Sequence, residues 1–98
     1  MIEIKEPKQF LWDQGNERKN SDKHNVSREE AEQVFFNQPL LLLEDKAHSQ
    51  EEMRFHALGR TDNSRRLHIA FTIRTNKIRV ISARPMHKKE RESYEKNS

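Results

Sequence analysis

The chain of 98 residues is 36% charged and 32% hydrophobic, with 19 Lys+Arg against 16 Asp+Glu and no cysteine. That length allows one domain, spanning 1–98, with a modest core, because a chain this size buries only about two thirds of its unfolded surface. The missing cysteines exclude disulfides, thiolate metal sites and a cysteine nucleophile. No segment reaches membrane-spanning length, and Met1-Ile2-Glu3-Ile4-Lys5-Glu6 lacks the basic head and apolar run of a secretory signal, so a soluble cytoplasmic protein is expected.

Gln9-Phe10-Leu11-Trp12-Asp13 reads as a short aromatic strand, its Phe10 and Trp12 belonging to the core. The polar run from Gln14 to about His24 has no proline and reads as a helix despite Asn16 and Asn20. Asn25 accepts the left-handed conformation that closes a helix, and Ser27 with Glu30 forms the S-x-x-E box that opens the next. This second helix is expected from Arg28 to about Asn37, with Ala31, Val34 and Phe35 on one face and Pro39 beyond its end. Leu40-Leu41-Leu42-Leu43 is too short for a buried helix and reads as a strand covered on both sides, followed by a polar loop from Asp45 to Gln50.

Met53-Arg54-Phe55-His56-Ala57-Leu58 alternates, setting Met53, Phe55 and Ala57 on one face and Arg54 and His56 on the other. After Gly59 and the Thr61-Asp62-Asn63-Ser64 turn, residues 67–74 and 77–84 alternate around a tight Thr75-Asn76 corner. They form a hairpin with Leu67, Ile69, Phe71 and Ile73 inward and His68, Thr72 and Arg74 outward. The charged tail places Met86, Glu90 and Tyr94 along one side of a last helix, and residues 1–8 and 95–98 are expected to fray. The predicted fold is α+β: an antiparallel sheet of about four strands, two N-terminal helices packed on one face, and a C-terminal helix.

Charge is lopsided. Residues 1–52 hold 7 Lys+Arg against 12 Asp+Glu, and residues 53–98 hold 12 against 4. Such segregation fits either a polyanionic or acidic partner or a plain solvated surface. The outward face collects Arg54, His56, His68, Thr72, Arg74 and Arg79, with Arg84 at a strand end. Arginine suits phosphate because its planar guanidinium donates two parallel hydrogen bonds. Few aromatics remain for stacking, so the face reads as a phosphate clamp rather than a platform for splayed bases.

RNA can be cut without a metal if a base deprotonates the 2′-hydroxyl, cations stabilise the phosphorane and an acid protonates the leaving oxygen. His24, His56 and His68 are candidate proton carriers, and Glu51 or Glu52 a candidate base, but no pair has diagnostic spacing. A metal site on His56 and His68 lacks a third ligand in register. No cofactor is implied.

Four ordered elements carry a specific resemblance: Phe10-Leu11-Trp12-Asp13, Lys23-His24-Asn25-Val26-Ser27-Arg28-Glu29-Glu30-Ala31, Glu52-Met53-Arg54 to Gly59, and Ile78-Arg79-Val80-Ile81-Ser82-Ala83-Arg84 with Glu90 and Tyr94. Together they resemble the BrnT family of bacterial toxins. The resemblance implies a RelE-like fold and a ribonuclease toxin neutralised by a BrnA antitoxin with a ribbon-helix-helix DNA-binding domain, the complex reaching its promoter DNA through that antitoxin. Carried over by position, Arg54, Arg79 and Arg84 are the expected phosphate-binding and catalytic residues, with Lys23 and His24 second. His56, His68 and Arg74 join them as RNA contacts. Asn25 stands where the family usually has glycine, a replacement the left-handed position accepts. A non-catalytic module that binds RNA or a partner on the same basic face is the alternative.

Overall fold

A computed structural model describes residues 9–48 and 52–97. The elements in chain order are β1 (Phe10–Leu11), α1 (Gln14–His24), α2 (Arg28–Val34), β2 (Leu41–Asp45), a 3-10 turn (Lys46–His48), β3 (Arg54–Arg60), β4 (Arg66–Arg74), β5 (Lys77–Pro85) and α3 (Lys88–Lys96). The strands form one sheet in the order β1-β5-β4-β3-β2. β2 to β5 are an antiparallel meander, and β1 adds to the outer edge of β5 in parallel. The sheet is therefore five-stranded and mixed, not an antiparallel sheet of about four. A strand of two residues has no alternation from which to read its pairing; Phe10 and Leu11 are set beside Ile78 and Arg79 by packing.

The local signals explain the helices. Asp13 caps α1 by accepting from the backbone of Gly15 and Asn16, Asn25 closes it at φ 53°, and Ser27 and Glu30 form a complete capping box on α2. Between its caps α1 is polar enough to bury a single residue, Asn20, whose Oδ1 accepts from the Ala83 amide at 3.1 Å and ties the helix to β5. α2 ends at Val34, three residues earlier than expected. Phe35 then turns into the core while Phe36 stays 56% exposed.

One sheet face meets α2. Phe55, Ala57, Leu67, Ile69, Phe71, Ile78, Val80 and Ala83 pack there with Val26, Ala31, Val34 and Phe35. The Phe35 ring stands edge-on to Phe71 at 5.1 Å, and Trp12 closes the flank by donating to Glu32 at 2.7 Å. Each large side chain buried here contributes roughly 2 kcal/mol. The fit is tight at Gly59, where an added Cβ would lie 2.6 Å from Val34 Cγ1 and 3.3 Å from the Val34 carbonyl oxygen. Gly59→Ala is expected to lower unfolding stability by about 1–3 kcal/mol, read from urea midpoints; an unchanged midpoint would show that α2 yields freely.

Among the described residues the other face is covered at one end, where Met86, just before α3, and Tyr94 of α3 pack with Leu58 and Leu41. β2 is an edge strand and not covered on both sides: Leu43 is 57% exposed, and the strand runs on to Asp45, expected in a loop. Met53 lies outside β3 and is exposed as well, and Ile73, near the hairpin corner, is partly exposed. At that corner both Thr75 (φ 51°) and Asn76 (φ 63°) are left-handed, the conformation that matches the twist of a two-residue hairpin.

A bulge decides which side chains share the uncovered face. Ala70 pairs with Ser82 while Phe71 pairs with Val80, so Ile81 is an extra residue in β5. Arg79 and Arg84 are five positions apart and would point to opposite faces of a regular strand; the bulge resets the alternation and brings both to the same side.

Candidate active site

Cross-strand register assembles the uncovered face. One row runs Asp45, Arg54, Thr72, Arg79 over four strands, and a second, two steps along β3, runs Leu58, His68, Arg84. Between them His56 lies opposite Leu43 and Ala70, diagonal to Asp45 on one side and to His68 on the other. Diagonal neighbours are within reach of long side chains, and both contacts form. His56 Nε2 is 2.8 Å from Asp45 Oδ2, and His56 Nδ1 is 2.6 Å from His68 Nε2. Asp45 and His68 are almost fully buried, at 9% and 7% exposure, whereas His56 is half-buried.

The chemistry of the groups orients the protons. An ionised Asp45 only accepts, so His56 Nε2 carries the hydrogen between them. One proton then serves the short contact between the rings, held either on His56 Nδ1 or on His68 Nε2. The buried Nδ1 of His68 has no hydrogen-bond partner. Burial, then the Arg84 charge, with His56 adding to both, push the pKa of His68 down to about 4, against the opposing pull of Glu90. His68 is therefore neutral at pH 7. The two ring nitrogens face one another rather than a common centre, and among the described residues no cluster of three or more His, Cys, Asp or Glu side chains is arranged to hold a metal ion.

Each end of this line is cationic. At one end Arg84 grips Glu90 through two hydrogen bonds of 2.8 and 2.9 Å. Glu90 also accepts from the His87 amide at the start of α3. These bonds, led by those from Arg84, outweigh burial and hold Glu90 at a pKa of about 2. At the other end Arg79 has a loose 3.8 Å pairing with Asp13, while Arg74 donates to Glu52 at 2.5 and 3.2 Å. The Arg74 hydrogen bonds, then the charges of Arg74 and Arg79, keep Glu52 below the ordinary carboxylate range against its desolvation. Glu52 stays ionised and committed to Arg74; Glu51 falls outside the described residues.

A sequence model of the ribonuclease toxin BrnT of type II toxin–antitoxin systems matches residues 12–90. The chain belongs to the BrnT family. Among solved structures, the BrnT ribonuclease toxin of Brucella abortus has the same fold, with a TM-score of 0.62 at 19% identity over 83% of this chain and 99% of that one. No curated protein is recognisably similar to it in sequence. Membership of a BrnT family implies an antitoxin partner, and no helix among the described residues is long and apolar enough to cross a membrane.

Of the residues expected at the site from the strand alternation and the BrnT pattern, the fold gathers Arg54, His56, His68, Arg79 and Arg84 on one face, with Arg74 at its margin. Lys23 and His24 are elsewhere, in the last turn of α1 on the helix-covered side, where Arg65 binds the carbonyl oxygens of His24 and Asn25 together with the Glu30 carboxylate. Asp45 and Glu90 complete the site without having been singled out as its members. No local signal marks Asp45, which follows an apolar run and precedes a polar one; only the β2–β3 register brings it to His56.

Proposed function

We propose that this protein is an endoribonuclease that cuts RNA without a metal ion. The ribose 2′-oxygen forms a bond to the adjacent phosphorus while the bond from phosphorus to the 5′-oxygen breaks, leaving a 2′,3′-cyclic phosphate and a 5′-hydroxyl. The 2′-hydroxyl proton passes to the histidine pair, and a proton from the pair reaches the departing 5′-oxygen. The supporting observation is the line Asp45, His56, His68, whose two rings share one proton across 2.6 Å between two groups of arginines and so form a pair that can take up one proton as it gives up another.

In this reading Arg54 and Arg79 bind the scissile phosphate and stabilise the charge that builds on it. Arg84, committed to Glu90, acts on His68 through its charge and fixes the α3 side of the site. Asp45 orients His56. Arg74, Lys23 and His24 meet flanking phosphates, the last two at the far side of the molecule. The antitoxin is a BrnA-like ribbon-helix-helix protein, and promoter DNA is contacted through it alone.

The test is to incubate the purified chain, with metals chelated, with total RNA and with DNA of matched sequence. RNA fragments ending in 2′,3′-cyclic phosphate, with DNA intact, are the expected result. Arg79→Ala is expected to abolish growth arrest on expression while antitoxin binding persists. Intact RNA at high protein concentration, with affinity falling steeply as salt rises, would identify a binding module instead, and full toxicity of the Arg79 variant would remove the arginine face from the mechanism.

A further inference from the structure

Beside the histidine pair, β2, β3, β4 and α3 border an open cleft of about 340 Å³. Its walls are Leu43 and Leu58, its floor is His56 and His68, and Lys89 and Ser93 stand at its rim on α3. We propose that this cleft is a nucleobase subsite that receives one base beside the scissile phosphate and favours guanine. The proposal rests on the ribonuclease reading and names the substrate feature that the site selects.

Size limits the occupant. Ligand pockets run from roughly 300 to 1,000 Å³, so this one sits at the small end and is ample for a single nucleobase. The wall chemistry agrees with a flat apolar guest: Leu43 is 57% exposed on the inner side of an edge strand, an uncovered apolar surface directly beside a polar pair. While Leu58, already buried under Met86 and Tyr94, backs the cleft, a base inserted here covers Leu43. It also excludes water from His56 and His68, which strengthens every hydrogen bond in the site.

The rim chooses among bases. Glu90 also borders the cleft, but its oxygens are taken up by Arg84 and the His87 amide, leaving it little capacity for a base amino group. Lys89 offers donors only, and the Ser93 hydroxyl both donates and accepts. An edge dominated by donors matches the base with two adjacent acceptors, O6 and N7 of guanine. Cytosine and adenine would bring amino groups toward the Lys89 ammonium.

The experiment is a titration of the full-length chain with each of the four nucleoside 3′-monophosphates, followed by NMR of the leucine methyls and histidine rings. Cleavage sites on total RNA are sequenced in parallel. The expected result is shifts of the Leu43 and Leu58 methyls, at least tenfold tighter binding of GMP than of CMP, and cleavage sites enriched for guanine at one flanking position. Lys89→Ala is expected to reduce the GMP preference to less than threefold. Ser93→Phe, at an exposed helix position, is expected to fill the cleft and abolish the methyl shifts without altering the circular dichroism spectrum. Nucleotides that leave both methyls unmoved would overturn the subsite, and equal binding of all four, or equal loss for all four in the Lys89 variant, would overturn the guanine assignment. GMP bound in the cleft of a protein that cuts no RNA would retain the subsite and sink the ribonuclease reading; RNA cut evenly at all bases, with no methyl shift, would do the reverse.

Discussion

His56→Ala is expected to slow RNA cleavage by about 10²- to 10⁴-fold, the usual contribution of a positioned acid–base group. His56 touches both Asp45 and His68, at 2.8 and 2.6 Å, so its removal breaks the line in two places. The double variant His56→Ala/His68→Ala should be little slower than the single one, because groups that act as a unit are lost together. Asp45→Asn keeps the shape but turns an acceptor-only group into one that also donates; a loss of about ten- to a hundredfold is expected, with a changed pH profile. Single-turnover rates on a short RNA, with thermal unfolding as a control for folding, give the answer. Losses that multiply in the double variant would mean that the two rings work on separate steps.

Acid is expected to weaken the fold through His68 first. Its pKa is about 4 in the folded chain against an ordinary 6.5. Between those values the unfolded chain binds the extra proton and the folded one does not, so stability is complete above pH 6.5 and is lost as pH falls toward 4. Glu90, lowered from 4.5 to about 2, adds a second loss that begins only below pH 4.5. After allowance for solvent at the cleft, the His68 contribution amounts to about 2 kcal/mol. Urea unfolding from pH 7 to pH 4 should show this decline, and His68→Gln, which can still hydrogen-bond to His56, should flatten it. A wild-type curve level from pH 7 to pH 4.5 would mean that His68 is protonated without penalty in the fold.

What the sequence discloses is what neighbouring residues decide. The Thr75-Asn76 hairpin, the Ser27 and Glu30 capping box, the Asn25 stop and the inward Leu67, Ile69 and Phe71 all depend on spacings of a few positions, and all are present in the fold. The arginine-bearing face was legible for the same reason. The parallel edge strand was not, because two residues have no period. The contact between His56 and His68 was not legible either. It depends on the β3–β4 turn placing Leu58 opposite His68, and a shift of one residue would turn one ring to the far face. Arg84 joins Arg79 only because Ile81 is an extra residue, and nothing in the alternation of β5 announces a bulge there.

Glu90 accepts from the amide of His87, the residue that caps α3, neutralises Arg84 and tempers His68. One carboxylate is thus both the foundation of the C-terminal helix and a counterweight in the proton chemistry of the sheet. If α3 detaches, Arg84 loses its counter-ion beside His68 while part of the burial that most lowers the His68 pKa is relieved, so two opposed effects act on the imidazole. The uncovered face therefore depends on α3: a chain shortened before Glu90 would keep every strand residue of the candidate site and still hold its protons differently.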